Sequence, residues 1–425
     1  MHIRFRTHLT DFMKPLHLPN SSHLFTRRTL VSAAVSTLLL SGCSQTLQRR
    51  DDNISNPVNR PAVLFAGVSF TGDYSDNRVN CPLSFAALKR VDLDGMFRER
   101  IKGRSFSSFD LILDSQGHRS TDAEAVAFTL AIDFETTSVS ELPSGKFKVI
   151  LTVYANLLFF DFNEKKVINT VPINCEYITL EPTRPTQQRL GALMQGLLTG
   201  ELPEIEVSFL DVAVQRLAST VVRPRYGMRL KVRTVDIDQR GLKSFSALGG
   251  TTSQVCSLYA LLLTRSFVDR LNVAMLPYTK GQAIGAKMTG RFVDGRAYQL
   301  SIPDGDYVID LHLLGLKTLS QDNEDGKTFN QAFFVFLGIH IEQPDLGKVY
   351  FDQPMRGTGT ALLLKGQKPG LSASYLETSA ALLDGFAECL RDENDDWIAQ
   401  NISPTNRSSF VDQAKSLRPL WNKFK

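Results

Sequence analysis

Apolar and polar residues alternate with a period of two through Val126, Phe128, Leu130, Ile132 and Phe134, with Ala127, Thr129, Ala131, Asp133 and Glu135 between them. Successive side chains of an extended chain point to opposite faces, so the pattern predicts a strand with one apolar face. Phe147, Val149, Leu151, Val153, Leu157 and Phe159 have the opposite parity and predict its returning partner. A two-residue Ser144-Gly145 turn makes opposed residue numbers sum to 289, which sets Leu130 opposite Phe159 and Asp133 opposite Asn156. Tyr307, Ile309, Leu311 and Leu313 against Val335, Leu337, Ile339 and Ile341 predict a second hairpin. Both sets are odd-numbered, so its loop needs an odd residue count. Phe209, Ala213 and Leu217 recur at helical spacing, as do Leu376, Ala380, Leu383, Ala387 and Leu390 after a Ser374-x-x-Glu377 capping box. A sheet with one apolar face and helices laid on it is a two-layer α/β (α+β) sandwich.

Three segments recur in the same order. Cys81-Pro-Leu83 through Arg90 answers Cys256-Ser-Leu258 through Arg265 at an offset of 175, Gly145-Lys146 answers Gly326-Lys327 at 181, and Lys166-Val167 with Pro172 answers Lys348-Val349 with Pro354 at 182. Offsets that grow slowly and never reverse are those of loop insertions in one of two copies. Each copy opens with a strand, Ala62 to Phe70 or Arg229 to Ile237, and continues with helix, long hairpin, shorter strand and closing helix. The expected organisation is two tandem duplicated domains, 61–223 and 228–392, meeting at Arg223-Pro224-Arg225-Tyr226-Gly227, with 393–425 as a C-terminal tail. This element order resembles the periplasmic α/β domain of the curli secretion-channel lipoprotein, of peptidoglycan-synthase activator lipoproteins and of the Tol-system translocation protein. The resemblance implies a docking or assembly role.

The amino terminus has a basic leader ending in Arg27-Arg28, an apolar run from Leu30 to Leu40, and Ser41-Gly42-Cys43. The run is shorter than the roughly 20 residues of a membrane-spanning helix, so residues 1–42 read as a cleaved export signal. Leu40-Ser41-Gly42-Cys43 resembles the lipobox of bacterial lipoproteins, which implies cleavage between Gly42 and Cys43 and lipid on the Cys43 thiol. Ser44 stands where lipoproteins retained in the inner membrane of enterobacteria carry an aspartate, so the resemblance implies the outer membrane, facing the periplasm. Thr26-Arg27-Arg28-Thr29-Leu30-Val31 also looks like a twin-arginine motif, which leaves the export route open, as Met13 leaves the start codon open. Residues 43–60 are polar, with Gln45, Gln48, Arg49, Arg50, Asp51, Asp52 and Asn53, and predict a lipidated flexible tether.

Residues 1–43 hold five of the 48 Lys and Arg (Arg4, Arg6, Lys14, Arg27, Arg28) and one of the 44 acids (Asp11), so 43 of each remain. A balanced mature chain gives no basic excess for nucleic acid, and no such partner is expected. The expected partners are the membrane, through the lipid, and envelope proteins or the cell wall; a homo-oligomer stays open.

No Gly-x-Ser-x-Gly, His-Glu-x-x-His or Cys-x-x-Cys occurs in the chain. Gly357-Thr-Gly359-Thr-Ala361-Leu362 has Leu where a dinucleotide fingerprint has its third glycine, and reads instead as a turn after an edge strand. No cofactor is expected. Of seven histidines four lie in the leader, leaving His118, in a loop, and His312 and His340 on the second hairpin with Asp310 and Glu342 at the same parity. If opposed numbers sum to 652 the two histidines face each other; if 650, Asp310 faces His340. Either register could gather metal ligands, and the alternative is a polar face with one ion pair. Cys81, Cys175, Cys256 and Cys389 allow one bridge per copy or four buried thiols. The reading is a non-enzymatic envelope scaffold, against a metal-dependent hydrolase on the second hairpin or a carrier of a small or lipidic ligand.

Overall fold

The computed structural model describes residues 60–71, 78–113, 126–223, 225–245, 248, 251–278, 287–292, 297–366 and 370–424. The export signal, Cys43, most of the tether and His118 lie outside them.

The first half runs β1 (Ala62–Thr71), α1 (Pro82–Ala87), α2 (Leu93–Ile101), β2 (Asp110–Ile112), β3 (Val126–Glu141), β4 (Phe147–Asp161), β5 (Lys166–Glu181), α3 (Gln187–Thr199) and α4 (Phe209–Ser219). The second runs β6 (Leu230–Ile237), α5 (Gln239–Phe245), α6 (Thr252–Leu271), β7 (Met275–Leu276), β8 (Lys287–Phe292), β9 (Ala297–Ser301), β10 (Tyr307–Asp322), β11 (Thr328–Gln343), β12 (Lys348–Leu364) and α7 (Leu371–Arg391). The described strands form two mixed sheets with helices packed on them, an α/β fold. One sheet has the order β2-β1-β3-β4-β5-β9-β8, with β8 also paired to β1, and the other β7-β6-β10-β11-β12. In each, the opening strand is parallel to the first long strand, which begins an antiparallel meander of three.

The long strands also bulge at matching places. One extra residue interrupts the ladder at Ala66 and Arg233, at Asp133 and Leu314, and at Ile168 and Tyr350. A bulge reverses which parity faces inward, and this alters the expected registers. Leu130 faces Leu157 and Ala131 faces Asn156, so the sum is 287 before the Asp133 bulge and 288 beyond it, where Glu141 pairs with Phe147. The sum of 289 fails because the turn spans Leu142 to Lys146, with Gly145 at a φ of 77°. In the second hairpin Ile309 faces Ile341, and Asp322 faces Phe329 beyond the Leu314 bulge, so six residues separate the last pair and the loop count is even.

The closing helices bury Phe209, Ala213 and Leu217 of α4 and Leu383, Ala387 and Leu390 of α7, with Leu376 and Ala380 half-buried. Ser374-x-x-Glu377 does not start α7, which begins three residues earlier after Gly370. Capping boxes instead begin α4 (Ser208 with Asp211) and α6 (Thr251 with Gln254). Helix α6 buries residues on every side, from Val255, Leu258 and Tyr259 to Thr264, Ser266 and Phe267. It packs on β6 and α7 of its own half and on β5 of the other, so burial extends round most of the helix and leaves Arg265, Asp269 and Arg270 partly exposed. Residues 60–425 therefore form one compact unit whose main core runs through both halves.

The stretch 393–425, expected as a tail, contributes α8 (Asp395–Asn401), α9 (Arg407–Leu417) and a 3-10 turn at Arg418–Lys423. Phe410, Leu417, Trp421 and Phe424 are buried, and the Phe424 carbonyl accepts from the Ala274 N–H. The β8–β9 hairpin of the second half joins the first sheet, pairing with β1 at Ser69–Thr71 and with β5 at Lys166.

Candidate functional site

A row of polar side chains crosses the second sheet. Asp310 on β10 lies opposite Thr234 on β6 and opposite His340 on β11, and His340 lies opposite Asp352 on β12. The neighbours Ile309, Ile339 and Phe351 are buried, with Phe351 against Phe386 of α7, so alternation turns the row to the face away from the helices. The observed register is the one with a sum of 650. It brings Asp310, His340 and Glu342 together, with one ligand atom from each within 4.8 Å of the others. His312 pairs with Gly338 and stands outside this group.

The sequence reading missed Arg233. It is the bulged residue of β6, which frees it from the ladder and sends its guanidinium over Asp310. Nε lies 3.0 Å from Asp310 Oδ1, a second nitrogen meets Oδ2, and Nη1 reaches Glu342 at 2.6 Å. The Thr234 hydroxyl donates to Asp310 at 2.7 Å. His340 Nε2 is 3.3 Å from Glu342, and Nδ1 is 3.7 Å from Asp352, an ion-pair distance with no direct hydrogen bond. Burial alone would raise the Asp310 carboxyl, but the bonds from Arg233 and Thr234 outweigh it and hold the group below the usual range. His340 is pushed above the ordinary histidine value, first by Asp352 and also by Glu342, against burial. Burial pushes His312 down.

Two carboxylates and an imidazole have the spacing of a cation site, but the guanidinium already lies between the carboxylates and supplies the positive charge. A metal would have to displace it. A catalytic metal also needs a position open to water and substrate, whereas the His340 side chain is only 3% exposed. The donor set fits a closed ion network.

A cleft of about 260 Å³ lies where β5, α4, the junction and α6 meet, lined by Asn169, Arg216, Tyr226, Asp269 and Phe424 among others. Arg216 and Asp269 form an ion pair there, a lining poorly matched to an acyl chain. Cys81, Cys175, Cys256 and Cys389 are all free and buried, so of the two expected cysteine states the structure has four thiols. Cys81 immediately precedes α1, whereas Cys256 is the fifth residue of α6. Gly357-Thr-Gly359-Thr-Ala361-Leu362 is neither phosphate loop nor turn but part of β12. A Cβ on Gly357 would come within 3.0 Å of Leu382, and one on Gly359 within 2.3 Å of Thr378, so these glycines let α7 lie close on the strand.

The sheet edges differ from this closed interior. Among the described residues β12 ends its sheet, and β5 pairs on its outer side only at Lys166. The far halves of both strands expose apolar side chains, Ile178 at 51% and Leu180 at 56% on β5 and Leu362 at 66% on β12. Leu180 and Leu362 hold equivalent places when the bulges are aligned.

Compared by sequence, the chain matches no protein-family model and no curated protein. Compared by structure, it is similar to a crystal structure described as a neuraminyllactose-binding hemagglutinin homolog from Helicobacter pylori. That alignment covers 41% of this chain and 90% of the other at 10% identity, with a TM-score of 0.24.

Proposed function

We propose that this chain is a lipid-anchored envelope protein that works by docking partner strands on its sheet edges, with no reaction at the polar row. The outer half of β12 carries the reading: among the described residues it ends its sheet, and it is uncharged from Gly357 to Leu363 and exposes Leu362. Unpaired backbone groups on such an edge are a template for β-strand addition. The Arg233 network supports a structural role for the polar row, since its carboxylates are committed to a guanidinium. The anchor reading rests on Cys43 and its flanks. Among the described residues no helix is long and apolar enough to cross a membrane.

Complementation in a strain lacking the chain tests the docking claim. Leu362→Lys is expected to abolish function at unchanged protein level, and His312→Asn with His340→Gln to preserve it. Loss of function in the histidine pair with normal folding, and retention in Leu362→Lys, would favour the hydrolase. Cys43→Ala should move the protein out of the membrane fraction; firm retention without lipid would remove the anchor.

A further inference from the structure

The cleft of about 260 Å³ where the halves meet has no part in edge docking, and its walls carry unbalanced charge. Arg216 of α4 pairs with Asp269 of α6, and Arg265, one turn earlier on α6, lies 3.6 Å from the same carboxylate. One aspartate thus serves two guanidiniums. Arg223, in the junction, also lines the cleft; it is exposed and has no acidic partner among the described residues. Three positive charges therefore meet one negative charge. The carboxyl-terminal ends of α4 and α6, at Ser219 and Leu271, converge on the same cleft, and each brings roughly half a negative charge. An excess of about one positive charge remains. Burial, and after it the charge of Arg265, pushes the Arg216 guanidinium below its ordinary range, as expected where negative charge is short.

The walls are tied together. Asn169 of β5 is 6% exposed; its amide nitrogen donates to the Tyr226 hydroxyl at 3.2 Å, and its oxygen accepts from the Met275 N–H at 3.3 Å. The Tyr226 hydroxyl donates in turn to the Val221 carbonyl at 3.3 Å. Strand, junction and the end of α4 are thus joined before any ligand arrives, which lowers the ordering cost of binding. Beside these polar groups Val171, Val268, Val273 and Phe424 form an apolar wall. A cavity of roughly 150 Å³ takes a benzene ring. The volume here leaves room for one ring and a small charged group.

We propose that the cleft binds a small organic monoanion, a carboxylate on an apolar body the size of a single ring, with Arg216 and Arg223 against the carboxylate and Val268, Val273 and Phe424 against the body. A guanidinium presents parallel N–H donors that match the two oxygens of a carboxylate. A neutral ligand would leave the excess charge unanswered, and a dianion would overshoot it. The site does not depend on edge docking, and either can fail without the other.

Calorimetric titration of the intact chain in a nonionic detergent, with benzoate as the probe, is the test. Saturable binding is expected, weakened about tenfold by Arg223→Gln at an unchanged melting curve, and weakened also by added salt. Arg184→Gln removes the same charge outside the cleft and should leave the affinity unchanged. Benzamide, the neutral isostere, and phenyl phosphate, a dianion at mildly alkaline pH, should each bind about tenfold more weakly than benzoate or worse. Absence of saturable binding up to about 10 mM benzoate overturns the proposal, as does an affinity indifferent to Arg223→Gln. Benzamide binding as tightly as benzoate rejects the charged ligand, and phenyl phosphate binding more tightly rejects the monoanion.

Discussion

The two halves carry opposite chemistry on the same face of the same kind of sheet. With the bulges aligned, Arg233, Asp310, His340, Glu342 and Asp352 of the second half correspond to Ala66, Thr129, Leu158, Phe160 and Thr170 of the first. The first-half face builds a second, smaller core in which Ala127, Phe160 and Val167 meet Leu276, Leu300 and Ile302 of the other half. The second-half face holds an ion network. Strand order and bulges match between the halves, so backbone geometry does not decide what these faces carry. Their covering does: a face closed by apolar residues gains from transferring its side chains out of water, while a charged face must gather its own counter-charges.

The largest effects come from breaking that difference. Arg233→Met leaves Asp310 and Glu342 buried or half-buried without their counter-ion, and is expected to cost about 3 kcal/mol, measured by urea unfolding. Replacing the group with its first-half counterparts, Arg233→Ala, Asp310→Thr and Glu342→Phe together, should cost less than Arg233→Met alone, because no charge is stranded. A triple variant less stable than the single one would contradict this account of the network. On the other side, Phe160→Ala empties a fully buried ring from the smaller core and is expected to cost about 3 kcal/mol, with β8 and β9 losing amide-exchange protection before the rest.

A smaller effect is expected at Gly359→Ala. The new methyl meets the Thr378 hydroxyl, so the cost should be about 1 kcal/mol, read as a lowered melting temperature, and Thr378→Ala should relieve part of it.

The smallest effect is electrostatic and depends on pH. His340 has a folded pKa above its ordinary value of 6.5, so its contribution is complete below 6.5 and is lost as pH rises through the folded value. Asp310 has the opposite sign: its folded pKa is below its ordinary value of 3.8, so its contribution is present above 3.8 and is lost as pH falls through the folded value. Stability measured from neutral to mildly alkaline pH should therefore decline more in the wild type than in His340→Gln. Equal slopes in the two proteins would place the pH dependence elsewhere.

Local pattern located the long strands well. Val126 to Phe134 and Tyr307 to Leu313 lie in β3 and β10, and the odd residues of 335–341 turn to the core of β11, because burial on one face imposes a period of two that composition alone displays. The registers were less legible. One extra residue at Asp133 or Leu314 leaves no compositional mark, yet it reverses the parity of everything beyond it. The polar row was half legible for the same reason. His340, Asp310 and Glu342 shared a parity in the sequence, but Arg233, 77 residues before Asp310, reached them only through a bulge on another strand, a contact that parity cannot supply.

By itself, then, the sequence determined the alternating strands, the helical faces of α4 and α7 and the glycine turns, because each of these depends on neighbours within a few positions. Only the tertiary structure decided that the halves share α6 and one core, that the last residues fold into that core, and that a guanidinium closes the space between two carboxylates. It also decided which edge is left open, since Arg189 of α3 clamps Glu181 of β5, and Gln400 of α8 and Gln413 of α9 cover the inner half of β12. Those outcomes rest on contacts between residues distant in the chain, whose free energy appears only when the surfaces meet and water leaves them.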